Sequence, residues 1–290
     1  MKKIVLYGCL MSSLGIFAQS HQKAVIWDLG GVLFTNSRLT YVHAIGFKPI
    51  FSYLFTERTR PWKSSSLIQQ RTFEVLATVA IEEAHTAKGA CVPGGLPMPP
   101  LLWAFQAGLI APDVCLERAE DALEALAKQG YFKNSSEKEL IRRIICVAFT
   151  PSLSVSSCSV RTESMKIVKQ LAAQRNSDGT RKYKLIVISN WDPWSFNGDT
   201  SCKGCVRDKF HTELSYFDDV IISGDVHLMK PMPQIFSHVL EKHGLLKENC
   251  TFIDDQLENI ESARSFGIEN PLHFTNSRNL RQQLRSLKII

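Results

Sequence analysis

Apolar positions along the chain fall into two regimes. Four short, continuous apolar runs are rich in β-branched and aromatic residues: Val25-Ile-Trp27, Tyr183 to Ile188, Val220-Ile221-Ile222 within Asp219 to Ser223, and Thr251-Phe-Ile253. Each is too short for a helix and reads as a buried strand. Between the first run and the second, from Phe34 to about Lys182, apolar residues recur at helical spacing instead. Leu67 to Glu83, Asp113 to Lys128, Glu137 to Phe149 after a Ser135-Ser136 cap, and Glu163 to Gln174 are predicted helices. Val92 to Pro100 is crowded with proline and glycine, which remove ladder and helix hydrogen bonds, so it is predicted to be a loop.

Past residue 183 strands and helices alternate. Pro233 opens a helix through Ile235, Phe236, Val239 and Leu240, and a helix from Leu257 to Phe266 stops at Gly267. Strands alternating with amphipathic helices predict an α/β fold with a doubly wound parallel sheet. The expected organisation is an α/β core from residues 21–35 and 183–290, with 36–182 as an inserted helical subdomain.

Composition narrows the function only mildly. The 290 residues carry 44% hydrophobic and 21% charged side chains, ordinary for a globular protein. The net charge of +6 suits an anionic small molecule, and without a dense Lys/Arg block no nucleic-acid partner is expected. Lys2 and Lys3, an apolar run from Ile4 to Ala18 and then Ala18-Gln19-Ser20 have the layout of a secretory signal peptide, so residues 1–20 are expected to be removed on export to a periplasmic or extracellular space. Otherwise the chain would be cytoplasmic. No other stretch is long and apolar enough for a membrane span in the mature chain. The pair Cys202 and Cys205 lacks the further ligands of a zinc site, leaving a local disulfide or free thiols. Oligomeric state is not legible.

Chemistry gathers at the strand ends. Asp28 closes the first run and is followed by Gly30 and Gly31, which let the backbone turn and a ligand approach. Ser189 and Asn190 follow the second run, Lys230 the third, and Asp254-Asp255 the fourth. In a parallel sheet these ends share one edge, so the groups are expected to converge. Three close carboxylates resist ionisation unless a cation sits among them, and hard oxygen donors favour Mg²⁺ with a phosphate-bearing substrate. Lys230 would balance the remaining charge, and Ser189 and Asn190 would donate hydrogen bonds to phosphate oxygens.

These motifs, Asp28-Leu-Gly-Gly-Val-Leu, Ser189-Asn190, Lys230-Pro-Met-Pro233 and Phe252-Ile-Asp-Asp255 with Asn259 and Gly267-Ile268, resemble in order and spacing those of the haloacid dehalogenase superfamily. Tyr216-Phe217-Asp218 and Ser223 extend the similarity. The resemblance covers about half the chain and implies a helical cap where the insertion lies. It implies that Asp28 is a nucleophile forming an aspartyl-phosphate on a small phosphorylated substrate, and that Asp28, Asp255 and the Gly30 carbonyl hold Mg²⁺. Asp254 would be a further metal ligand or support one, while Ser189, Asn190 and Lys230 grip the phosphoryl group. One departure stands out. Most phosphatases of the superfamily have a second Asp where this chain has Gly30, and a positioned general acid contributes about 10²–10⁴ in rate. Asp192, two residues after Asn190, is a candidate replacement, although a loop Asp after a strand more commonly serves as a turn residue. A metal-independent dehalogenase and a non-catalytic binding module remain as alternatives.

Overall fold

At the centre of the computed structural model, which describes residues 22–57, 61–82, 91–92, 96–198 and 204–290, five strands run parallel. They are β1 (Lys23–Trp27), β2 (Tyr183–Ser189), β3 (Asp219–Ile222), β4 (Cys250–Asp254) and β5 (Asn270–His273), in the spatial order β3-β2-β1-β4-β5. The α/β fold with a doubly wound parallel sheet is therefore as the periodicity predicted. The expected signal peptide (1–20) and Cys202 lie outside the described residues. Among those residues no single helix is long and apolar enough to cross a bilayer.

Both faces of the sheet are covered, which is why its strands read as unbroken apolar runs. Side chains alternate across a strand. Val25, Trp27, Leu185 and Val187 therefore face Met165, Val168 and Leu171 of the helix Thr162–Ala172, together with Leu280 and Leu284 of the helix Ser277–Ser286. On the opposite face Ala24, Ile26, Ile186 and Ile188 meet Ile235, Phe236 and Val239 of the helix Pro233–His243, and Ile260 and Ala263 of Leu257–Phe266. Four neutral or apolar residues in succession at β1 are thus sealed from water.

The insertion is smaller than the sequence implied. Phe34–Asn36 pairs antiparallel with Cys158–Val160, forming a two-stranded stem through which the chain leaves and re-enters the core. The helix Thr162–Ala172 follows that stem and packs on the sheet, so it is a layer of the core. The cap accordingly runs from 37 to 157 rather than from 36 to 182. Its helices are Arg38–Ile45, Phe47–Glu57, Pro61–Ala77, Pro100–Gln106, Pro112–Lys128, Ser135–Ala148 and Pro151–Ser157. They enclose a separate apolar cluster that includes Tyr53, Leu76, Trp103, Ile141 and Phe149.

Local details also differ. The helix read from Leu67 to Glu83 spans Pro61–Ala77. The helix read from Glu137 is capped by Asn134, whose side chain accepts from the Glu137 N–H, rather than by Ser135-Ser136. Within the expected loop, Cys91–Val92 pairs antiparallel with Leu96–Pro97, and Pro100 opens a helix. Proline suits a first turn, whose N–H would have no helical partner in any case.

Cap and core meet through backbone. Ser223 Oγ donates to the Gln106 carbonyl at 2.7 Å, and His227 Nδ1 donates to the Ala107 carbonyl at 2.7 Å. Gly108 (φ +70) approaches so closely that a Cβ there would lie 2.3 Å from the Gly224 carbonyl oxygen. Met229 is buried in the cap's cluster. These contacts set the end of the Pro100–Gln106 helix over the carboxyl edge of the sheet.

Candidate active site

Strand order reverses beside β1: β2 and β3 lie to one side of it, β4 and β5 to the other. Open α/β sheets place their ligand crevice at such a switch, beyond the carboxyl ends of the strands. Here those ends carry the acids. Trp27 pairs with Ile253, and the Asp28 N–H continues the ladder to the Ile253 carbonyl at 2.9 Å. This register sets Asp28 beside Asp254 and Asp255, and the three carboxylates bring ligand oxygens within 4.8 Å of one another.

Lys230 sits among them. Its Nζ lies 2.7 Å from Asp28 Oδ1 and 2.7 Å from Asp254 Oδ2, and the side chain is 2% exposed. Asn190 fixes the segment that delivers it: Asn190 Oδ1 accepts from the Lys230 N–H at 2.9 Å and Nδ2 donates to the Lys230 carbonyl at 2.8 Å. Asn190 thus has a positioning task besides the expected one. Its amide is used mainly to position Lys230, leaving one N–H for any other partner.

Of the two roles expected for Asp254, metal ligand or support for one, its hydrogen bonds favour the second. Oδ1 accepts from the Gln256 N–H (2.8 Å) and from Asn259 Nδ2 (3.0 Å), while Oδ2 accepts from Lys230 Nζ (2.7 Å) and again from Asn259 (3.0 Å). A carboxylate offers about four acceptor sites. With these partners, Asp254 anchors Lys230.

Asp255 is the reverse case. Its Oδ1 is buried with no hydrogen-bond partner. A buried oxygen without a partner loses its hydration for nothing in return, and a bound ion is one of the few things that restores it. Gly31 makes room for this side chain: a Cβ at Gly31 would lie 2.0 Å from Asp255 Oδ2, and φ there is +76°. Gly31→Ala is expected to push Asp255 out of the cluster and lower divalent-metal affinity at least tenfold. Isothermal titration with Mg²⁺ checks this, and unchanged affinity would separate Asp255 from the metal site.

The electrostatics of the cluster favour a bound cation. Burial pushes the Asp28 carboxyl up to about 7, with Lys230 opposing and Asp254 and Asp255 reinforcing the shift. Asp255 is pushed up to about 6 by burial and by the neighbouring Asp254. Burial draws the Lys230 ammonium down, but Asp254 and Asp28 outweigh it and leave it above its ordinary value. Three acids against one ammonium leave the cluster short of positive charge. The residues present fit a hard divalent ion held by Asp28 and Asp255, with Gly30 alongside.

Above the cluster is a cavity of about 520 Å³. Its floor is Asp28, Gly30, Gly31, Ser189, Asn190, Lys230 and Asp255, so the strand ends picked out from sequence converge on one space. The cap supplies Tyr41, Met98, Leu102, Phe105, Gln106, Ala148 and Ser154. Asp192 reaches the wall as the cap of the helix Pro193–Asn197: Oδ1 accepts from the Ser195 N–H (2.8 Å) and Oδ2 from Ser195 Oγ (2.5 Å). Trp194 is a packing residue, stacked on Phe105 with centroids 5.4 Å apart and planes 7° from parallel. Trp191 lines the cavity and donates Nε1–H to Ser195 Oγ at 2.9 Å.

Residues 22–267 match the family of haloacid dehalogenase-like hydrolases. The chain belongs to that family. Similar haloacid dehalogenase-like structures include an enzyme of that family from Bacteroides thetaiotaomicron, solved with magnesium and inorganic phosphate (20% identity, TM-score 0.42, covering 86% of this chain and 92% of that one). Another is a 2-haloacid dehalogenase from Pseudomonas syringae pv. Tomato (15% identity, TM-score 0.46, 92% and 99%). Among curated proteins, a sesquiterpene phosphatase from Aspergillus oryzae is 32% identical over 79 residues, 27% of this chain and 40% of that protein. A drimenol cyclase from Aspergillus calidoustus is 37% identical over 60 residues, 21% of this chain and 11% of the relative. The chain thus matches less than half the length of either curated relative.

The haloacid dehalogenase-like motifs pointed to the floor of the cavity and missed its roof. Tyr41, Met98, Leu102, Phe105 and Gln106 carry no spacing signature, and only the docking of the cap brings them over Asp28. Asn259, which supplies two of the bonds to Asp254, was visible as part of a motif but its task was not.

Proposed function

We propose that this haloacid dehalogenase-like hydrolase is a Mg²⁺-dependent phosphomonoester hydrolase that acts on a small phosphorylated metabolite through an aspartyl-phosphate on Asp28. The observation that carries the proposal is the pairing of a Lys-bound nucleophile, Asp28, with the buried, unpartnered Asp255 Oδ1 at the floor of one cavity. Lys230 opposes the effect of burial on the Asp28 carboxylate and orients it, and Asp254, held by Asn259 and Gln256, keeps Lys230 in place. Asp28 attacks phosphorus, and water then cleaves the acyl-phosphate, dividing one difficult displacement into two. Asp28 and Asp255 would hold Mg²⁺, which would supply positive charge to the phosphoryl oxygens. Ser189, buried at the end of β2 beside Asp28, offers a hydroxyl to the same oxygens.

The cap side of the cavity supports a neutral organic body on the substrate. Met98, Leu102, Phe105 and Ala148 are apolar, and Gln106 and Ser154 are polar side chains without an ionisable group. The partial similarity to a protein named a sesquiterpene phosphatase points the same way.

Assaying a panel of phosphate monoesters with the full chain tests the reading. Phosphate release from at least one ester is expected, lost on chelation and restored by Mg²⁺. Failure to hydrolyse any ester, or release of halide from 2-haloalkanoates in the presence of chelator, would overturn it.

A further inference from the structure

We infer that Met229 is a positioning residue: buried in the cap and joined by a peptide bond to Lys230, it makes the placement of the Lys230 ammonium depend on the cap being seated. The inference rests on the phosphatase reading for its kinetic readout alone.

Residues 228–230 lie between core and cap, and successive side chains go to different places. Leu228 packs against the core cluster that contains Ile235, Phe236 and Phe252. Met229 is 0% exposed and is buried in the cap's cluster with Trp103, Phe105 and Phe149, although its segment belongs to the core. Lys230 then reaches Asp28 and Asp254. Core, cap and site each claim one of three consecutive residues. A slip of the segment by one position would take Met229 out of its apolar surroundings and Lys230 away from the two carboxylates.

Hydrogen bonds hold both ends of the segment. On the core side, Asn190 accepts from the Lys230 N–H at 2.9 Å and donates to the Lys230 carbonyl at 2.8 Å. On the cap side, His227 Nδ1 donates to the Ala107 carbonyl at 2.7 Å. His227 has φ +56° and ψ +23°, a left-handed conformation that a residue with a Cβ rarely adopts. Its ring is exposed, so water competes for that bond. Met229 is the firmer of the two attachments to the cap, because water is excluded from it.

The reacting groups tolerate little displacement. Lys230 Nζ lies 2.7 Å from Asp28 Oδ1 and 2.7 Å from Asp254 Oδ2, and an ammonium moved away from one of them no longer orients the nucleophile. A misplacement of about 1 Å caused by a substitution away from the chemistry can cost about 10²-fold in rate. Truncating Met229 leaves the Asn190 bonds in place, so Lys230 is displaced rather than released.

Met229→Ala, Met229→Leu and His227→Gly in the full chain test this. Leucine conserves the buried volume, and glycine removes the ring while accepting the left-handed backbone. Met229→Ala is expected to lower kcat for phosphate release about tenfold or more, with KM changed by less than about threefold. Exchange of the Lys230 amide, followed by NMR, is expected to quicken, while exchange in the cap helix Pro112–Lys128 stays as in the unaltered chain. Met229→Leu is expected to restore both kcat and slow exchange, and His227→Gly to quicken Lys230 exchange with a smaller loss of kcat. Unchanged Lys230 exchange in Met229→Ala, a loss carried by KM alone, faster exchange throughout the cap, or Met229→Leu as impaired as Met229→Ala would overturn the inference. If Met229→Ala fails to fold, Lys230 exchange in His227→Gly decides, and no change there overturns it. Failure of the unaltered chain to hydrolyse any phosphate ester removes the phosphatase reading, and Lys230 exchange in the same variants then decides this inference by itself.

Discussion

Replacing Asp28 with asparagine is expected to lower phosphate release by about 10⁴-fold or more, the scale seen when a covalent nucleophile is removed. The amide is nearly isosteric but cannot form the acyl-phosphate. The fold is expected to survive, because Lys230 keeps its bond to Asp254. Stability at pH 8 without metal is expected to be equal or higher, and the sign follows from linkage. The Asp28 and Asp255 carboxyls lie at about 7 and about 6 in the folded chain, above their ordinary value of 3.8. The folded state therefore binds more protons, and stability falls as pH rises from about 4 to about 7. Asp28→Asn removes one of those two contributions. Calorimetry between pH 4 and 8, beside a phosphate-release assay, checks both halves. Near-normal turnover would remove Asp28 from the role of nucleophile, and a large loss of melting temperature at pH 8 would show that its charge stabilises the fold.

Lys230→Met is expected to abolish activity and also to destabilise the chain. It strips Asp28 and Asp254 of their shared cation in a site where both are almost wholly buried, at 4% and 0% exposed. Breaking a buried ion pair from one side costs about 3–5 kcal/mol. The loss is expected to be largest at pH 8 and smaller at pH 5, where Asp28 takes up a proton and needs no counterion. Denaturant unfolding at the two pH values measures it. A loss independent of pH would mean that the side chain matters through packing alone.

How legible the site was depends on what each signal encodes. Asp28, Ser189, Lys230 and Asp255 were readable because each follows a short apolar run that is buried on both faces, and a parallel sheet sends such ends to one edge. The helix Thr162–Ala172 was recognised but assigned to the cap, since amphipathic spacing reports that a face is buried and not what buries it. β5 escaped notice because Asn270–His273 is a half-buried edge strand containing Pro271, which lacks the alternation and continuity of the inner strands. The helices starting at Pro100 and Pro151 were hidden by the prolines that open them. The two hydrogen bonds joining Asn190 to Lys230 span 40 residues, and no local pattern announces a contact of that kind.

The measurement that tests the central claim most directly is chemical trapping of the phosphorylated enzyme. An acid-quenched reaction reduced with borohydride and digested for mass spectrometry should show reduction at one carboxyl, Asp28, only when substrate and Mg²⁺ were present. Turnover with no trapped carboxyl, or with the modification at Asp192, Asp254 or Asp255 instead, would contradict it.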